Sequence, residues 1–264
     1  MKKLTLLLIF LLFNLNLFAK HIEAKYNITY GKFLGLGTAT TTLEINENIY
    51  KIKIKAKTTG MAKYLTNNRE EIYESYGEII NNQFIPKKFI KTKKDSEKKR
   101  VRTYTFNHKE KKILVNDKKI GKEEKLNSSF KKVTINIDKE KNSELDYFAK
   151  DDILSLFFNI NQKLINYKTG EEYTLNAVGA NKTKGMINIL IPTANKLKKM
   201  NKVLKTNDKS KFTAFINQRI FQSKRGELLI SLNDNGFCSY AVLKDVLLFG
   251  DIVGKMVEFK INKG

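Results

Sequence analysis

The chain has 264 residues, with 50 Lys and Arg against 27 Asp and Glu, a formal charge of +23 and a single cysteine. One cysteine excludes an intramolecular disulfide, so a fold of this length must rest on a buried core. Two histidines and that cysteine cannot supply a zinc site, and no metal or other cofactor is expected.

At the amino terminus Lys2 and Lys3 lead into an apolar run from Leu4 to Phe18 that ends on Ala19. Asn14 and Asn16 interrupt the run, and Lys20 and His21 follow at once, which is the layout of a secretory signal peptide over residues 1–19 and too short for a spanning helix. The expected product is a periplasmic or otherwise exported protein, soluble after cleavage, with no transmembrane span. Cys238 lies far from the cut, so amino-terminal lipid attachment is not expected.

Residues 20–264 read as one β domain. Tyr50, Ile52, Ile54 and Ala56 alternate with Lys51, Lys53, Lys55 and Lys57, a period of two that places lysines on one face of a strand and apolar groups on the other. The same rhythm appears at Tyr26, Ile28 and Tyr30, at Tyr104 and Phe106, at Val133, Ile135 and Ile137, at Tyr173, Leu175 and Ala177, and at Ile187, Ile189 and Ile191. Asn233, Asp234, Asn235 and Gly236 mark a hairpin between Leu228–Leu232 and Phe237–Val246. The stretches Gly31–Gly37, Lys93–Arg100 and Lys118–Lys125 read as turns, hairpin tips or loops. After Asp151 and Asp152 the spacing of Ile153, Leu154, Leu156, Phe157, Phe158 and Ile160 predicts an aspartate-capped amphipathic helix, and a second short helix is expected over Thr193–Leu204. The expected fold is mainly β: a curved or barrel-like antiparallel sheet with one or two short helices packed against it.

No catalytic constellation stands out. His21 and His108 lack partners at triad or ligand spacing, Cys238 alternates with Tyr240 and Val242 as a buried thiol would, and Asp151 and Asp152 are accounted for as a helix cap. The pairs Glu70–Glu71 and Glu171–Glu172 read as solvated strand residues, and Gly35–Gly37 lacks the following helix of a phosphate loop.

Two binding surfaces remain. The apolar face, lined by Tyr26, Tyr30, Ile52, Ile54, Tyr104 and Phe106 and covered by Phe157 and Phe158, is the place for a lipid or other apolar ligand, or else a filled core. The segment Lys87–Arg102 is the densest positive stretch, and Lys93, Lys94, Lys98, Lys99 and Arg100 would carry any contact with an anionic surface, an acidic polymer or an envelope partner. Only Arg69, Arg100, Arg102, Arg219 and Arg225 are arginine, so the charge reads first as a lysine-rich solvated surface; nucleic acid is not an expected partner.

Six short motifs stand along the chain: Tyr26–Gly37 with its Leu-Gly turn, Thr59–Ala62, Ser75–Gly77, Phe84–Lys87, the helix start Asp152–Ser155, and Leu229–Asn235. Together they resemble the domain of unknown function 3108, a family of exported bacterial envelope proteins. The resemblance implies an antiparallel envelope protein and brings no catalytic residues with it.

Overall fold

The computed structural model describes residues 19–31, 34–126, 128, 130–180, 184–215, 226–246 and 250–263; the expected signal peptide lies outside them except for Ala19. Eight strands come first: β1 (Ala19–Tyr30), β2 (Leu34–Asn46), β3 (Ile49–Thr58), β4 (Glu70–Ile80), β5 (Gln83–Lys94), β6 (Lys98–Asn107), β7 (Lys112–Leu126) and β8 (Lys132–Glu144), with α1 (Gly60–Leu65) between β3 and β4. Then follow β9 (Asp151–Asp152), α2 (Ile153–Leu164), β10 (Glu172–Val178), β11 (Met186–Leu190), α3 (Ala194–Leu204), β12 (Ser210–Phe215), β13 (Glu227–Leu232), β14 (Cys238–Val246) and β15 (Gly250–Lys263).

All fifteen strands form one sheet, in the order β8 down to β1, then β15 down to β9. The first and last strands therefore meet at its centre, with Lys20 opposite Lys263 and Ile28 opposite Gly254. Every pairing is antiparallel except β9 with β10. The sheet is open, with β8 and β9 as its ends, so the barrel-like alternative gives way to a curved sheet. Curvature brings distant strands together over the inner face: a Cβ at Gly179, just past β10, would stand 2.6 Å from the Phe89 ring on β5.

Alternation explains which residues face inward. Register carries Ile22, Leu43, Ile52, Ser75, Phe89, Tyr104 and Val115 in one row across seven strands, and all are buried. The opposite face is wet and cross-linked by charge, with Lys51 at 3.7 Å from Glu44, Lys53 at 3.6 Å from Glu74 and Lys55 at 3.6 Å from Glu70.

Helix α2 closes the inner face. Asp152 caps it, its Oδ1 accepting from the N–H groups of Leu154 (2.7 Å) and Ser155 (3.1 Å), while the Ser155 hydroxyl accepts from the Asp152 N–H at 2.9 Å, a reciprocal capping box. Asn159 clamps the β4–β5 bend, accepting from the Phe84 N–H at 2.8 Å and donating to its carbonyl at 2.9 Å. Phe158 then packs at 5.6 Å from Phe84 and 5.1 Å from Phe237.

Three sequence expectations need correction. Lys118–Lys125 is not a loop but lies within β7, paired with both β6 and β8. Of Lys93–Arg100 only residues 95–97 form the turn, since β5 runs to Lys94 and β6 begins at Lys98. Gly35 and Gly37 belong to β2, where a Cβ on Gly37 would approach the Lys57 carbonyl at 2.5 Å. In each case a charge- or glycine-rich stretch satisfies its backbone in the ladder, which such composition does not forbid.

Candidate functional site

The same alternation that builds the core also builds a basic cleft. On the core-facing side of β4–β7, the row Ser75, Phe89, Tyr104, Val115 is followed by Tyr73, Lys91, Arg102, Asp117 and then by Glu71, Lys93, Arg100, Lys119. One face therefore changes from apolar to cationic within two steps along the strands, each step spanning two residues.

At the cationic end the β5–β6 turn meets the segment after α1. Asp95 Oδ1 accepts from the N–H groups of Glu97 (3.0 Å) and Lys98 (2.9 Å), which closes the turn locally. Asn67 and Asn68 both take left-handed φ values, 57° and 59°, which asparagine tolerates. Their backbone and side chains hold Ser96, through the Ser96 N–H to the Asn67 carbonyl at 2.9 Å and Asn68 Nδ2 to Ser96 Oγ at 2.6 Å. On the other side β7 presses against the tip, because Gly121, at φ 127°, leaves no room for a Cβ beside the Glu97 carbonyl.

This frame borders a cleft of about 410 Å³ walled by Leu65 and Thr66 and lined by Arg69, Lys93, Lys94, Lys98, Lys99, Arg100 and Lys119, with Asp95 its one acidic lining residue among the described residues. A second hollow of about 490 Å³ is lined by Ser96 and Glu97 of the same tip, but Glu97 and Lys122 offset one another there, so it offers an anion no comparable field.

Several of the cleft cations are already partnered. Glu71 is shared by Arg69 and Lys93 (3.0 Å), Glu70 meets Lys94 at 3.0 Å, Asp117 is gripped by Arg100 (2.5 Å) and Arg102 (2.8 Å), and Lys119 reaches Glu123 at 2.8 Å. Glu70 and Glu71 are thus half-buried ion-pair partners, not solvated strand residues. Burial alone would raise the Glu71 pKa, yet bonds from Tyr73 and Lys93 outweigh it and hold the carboxyl below its ordinary value. The Arg100 guanidinium does the same to Asp117. Lys98 and Lys99 form no ion pair among the described residues, so the cleft keeps a surplus of positive charge at its mouth. One row deeper, burial pushes Lys91 down to about 8, helped by repulsion from Lys93, while its ammonium lies 4.9 Å from the centre of the Tyr73 ring.

The five cations singled out by sequence, Lys93, Lys94, Lys98, Lys99 and Arg100, all line this one cleft. Sequence reasoning missed Arg69, Lys119 and the wall from α1, which are remote in sequence and arrive only through pairing register. The apolar set is also brought together, but into packing. Ile52, Tyr104, Phe106 and Phe158 are buried in one cluster, with Tyr26, Ile54 and Phe157 partly buried against it, while Tyr30 lies at the end of β1, partly buried.

Other chemistry-bearing residues are occupied structurally. Asp152 is fully buried, receiving the Ser75 hydroxyl at 2.5 Å as well as its cap bonds, and burial pushes it up to about 7. Asp151 accepts from Asn159 Nδ2 at 2.8 Å and sits 3.6 Å from Lys163. His108 bonds the Pro86 carbonyl at 2.6 Å and stacks on Phe106, and burial pushes the Cys238 thiol up to about 12. Among the described residues no group of three or more His, Cys, Asp or Glu is placed to hold a metal ion.

No curated protein and no solved structure matches the chain. A family described as a protein of unknown function, DUF3108, matches residues 25–189, which takes in α1, the whole basic cleft and α2 but stops short of Leu229–Asn235. With more than half of its length matched, from β1 through β11, the chain belongs to the DUF3108 family.

Proposed function

We propose that this is an exported binding protein, not an enzyme, whose basic cleft takes an anionic group carried by a polymer or a membrane headgroup. What supports the reading is convergence: seven cationic residues from the α1–β4 segment, the β5–β6 hairpin and β7 line one cleft of about 410 Å³, with Lys93, Lys98, Arg100 and Lys119 on the inner face of their strands and Lys94 and Lys99 on the outer face at the hairpin end. Cations scattered by composition alone would have no reason to converge on a concavity whose turn is tied down on both sides. Export is supported by the basic and apolar leader over residues 1–19, and among the described residues no helix is long and apolar enough to cross a membrane.

Binding of fluorescently labelled polyphosphate, followed by anisotropy, tests the reading. The protein should bind in a salt-sensitive manner, and Lys98→Gln with Lys99→Gln should weaken binding roughly tenfold, as removal of two unneutralised charges from one cleft would. Equal affinity in the variant, or binding indifferent to salt, would contradict it.

An apolar ligand on the inner face of the sheet would have to displace side chains already there, since Ile52 is 0% exposed and Tyr104, Phe106 and Phe158 are each below 10%. A stoichiometric lipid found by native mass spectrometry of protein taken from its own host would favour that reading instead.

A further inference from the structure

Helix α1 stands directly beside the basic cleft and buries none of its residues. Met61, Tyr64 and Leu65 are 68%, 84% and 83% exposed, so three large apolar side chains of a six-residue helix face solvent together. The helix is nevertheless held firmly. The Thr59 N–H bonds the Leu36 carbonyl at 3.0 Å, and Thr66 Oγ1 ties back to the Ala62 carbonyl at 2.7 Å and to Thr58 Oγ1 at 3.0 Å. A short helix without buried side chains gains nothing from tertiary packing, and an exposed apolar cluster rimmed by charge is the mark of an interaction surface.

Resting on the anion-binding reading above, we propose that α1 and the cleft together dock the protein on an anionic phospholipid bilayer. Met61, Tyr64 and Leu65 enter the boundary between headgroups and acyl chains, while Lys63, Lys98 and Lys99 meet lipid phosphates. Charge complementarity favours a bilayer, since shallow apolar insertion and basic contacts are the two signals that peripheral anchoring combines. Tyrosine suits that boundary, with an apolar ring and a polar tip. A protein partner fits less well, because three side chains offer well under the ~800 Å² that a stable protein interface takes from each side.

The test uses sucrose-loaded vesicles of phosphatidylcholine, with or without phosphatidylglycerol, and labelled polyphosphate in parallel. The protein should sediment with the anionic vesicles and not with the neutral ones. The variant Met61→Ser/Tyr64→Ser, which leaves the cleft wall at Leu65 intact, should lose about tenfold in vesicle binding while keeping its melting temperature and its polyphosphate affinity. Because the chain has no tryptophan, Tyr64→Trp supplies a single reporter whose emission should shift to the blue on anionic vesicles. Polyphosphate binding without vesicle binding would overturn the docking proposal and leave the cleft reading standing. Failure of both would remove the two together. Unchanged vesicle binding by the double variant, no emission shift from the Tyr64→Trp variant, or an effect of the double variant only on capture of another protein would each overturn the bilayer as the occupant.

Discussion

Asp152 is a carboxyl group with neutral donors: two backbone N–H groups and the Ser75 hydroxyl, which in turn lies 3.1 Å from the Tyr50 hydroxyl. Burial, the largest influence on it, raises its pKa to about 7, above the ~3.9 of an unfolded chain. The folded state therefore holds this proton more tightly, so the group's stabilising contribution is complete below about pH 4 and is lost as pH rises to about 7. Asp152→Asn keeps the capping carbonyl oxygen and cannot titrate. Unfolding free energies from denaturation followed from pH 4 to 8 should fall in the natural protein relative to the variant, by an amount on the order of 4 kcal/mol. Parallel curves would show that Asp152 stays ionised throughout. Gly77 gives a second residue-level prediction: a Cβ there would lie 2.0 Å from the Ile85 carbonyl and 2.8 Å from the Tyr50 ring, at the bulge where β4 meets β5. Gly77→Ala should cost about 2 kcal/mol or more in urea denaturation, and a change below about 0.5 kcal/mol would contradict this packing. The aspartate cap was legible in the sequence because acidic residues preceded a helical apolar stripe. Ser75 as its partner was not, since 77 residues separate them and only the β4–α2 approach joins them.

At the scale of elements, α2 is the piece whose packing completes the inner face. Phe158 touches Phe84 from β5 and Phe237 from the turn before β14, so Phe158→Ala should destabilise by about 3–5 kcal/mol in chemical denaturation. A loss below about 1 kcal/mol would mean that α2 is dispensable to the core. Both longer helices and the strands with a clear alternation, such as β3, β6, β10 and β11, were legible because their side chains keep one period. Strands such as β2, β12 and β15 were not read, and two further elements show why a period can be missing. Helix α1 has six residues and no buried face, so there was no period to read. In β7 the run Lys118–Lys125 carries charge on both faces, which hides a strand whose backbone is paired on both edges. The cleft was half legible: the cations of the β5–β6 hairpin are close in sequence, but Lys119 joins Arg100 only through register.

For the whole molecule, the organising fact is that one sheet face is apolar at one end of β4–β7 and cationic at the other. The inner face thereby supplies both the core under α2 and a charged rim, and anion binding and bilayer docking both concern that rim. Fifty Lys and Arg residues make any single charge-removal experiment open to a composition effect, so the decisive measurement must report on many lysines at once. Lysine acylation footprinting by mass spectrometry, with and without polyphosphate, does so. Lys98 and Lys99, together with Lys93, Lys94 and Lys119 as far as their ion pairs leave them reactive, should be protected, while lysines elsewhere, such as Lys20, Lys51 and Lys198, keep their rates. Protection spread evenly along the chain, or absent from the cleft, would contradict the account and leave the charge as a solvated surface.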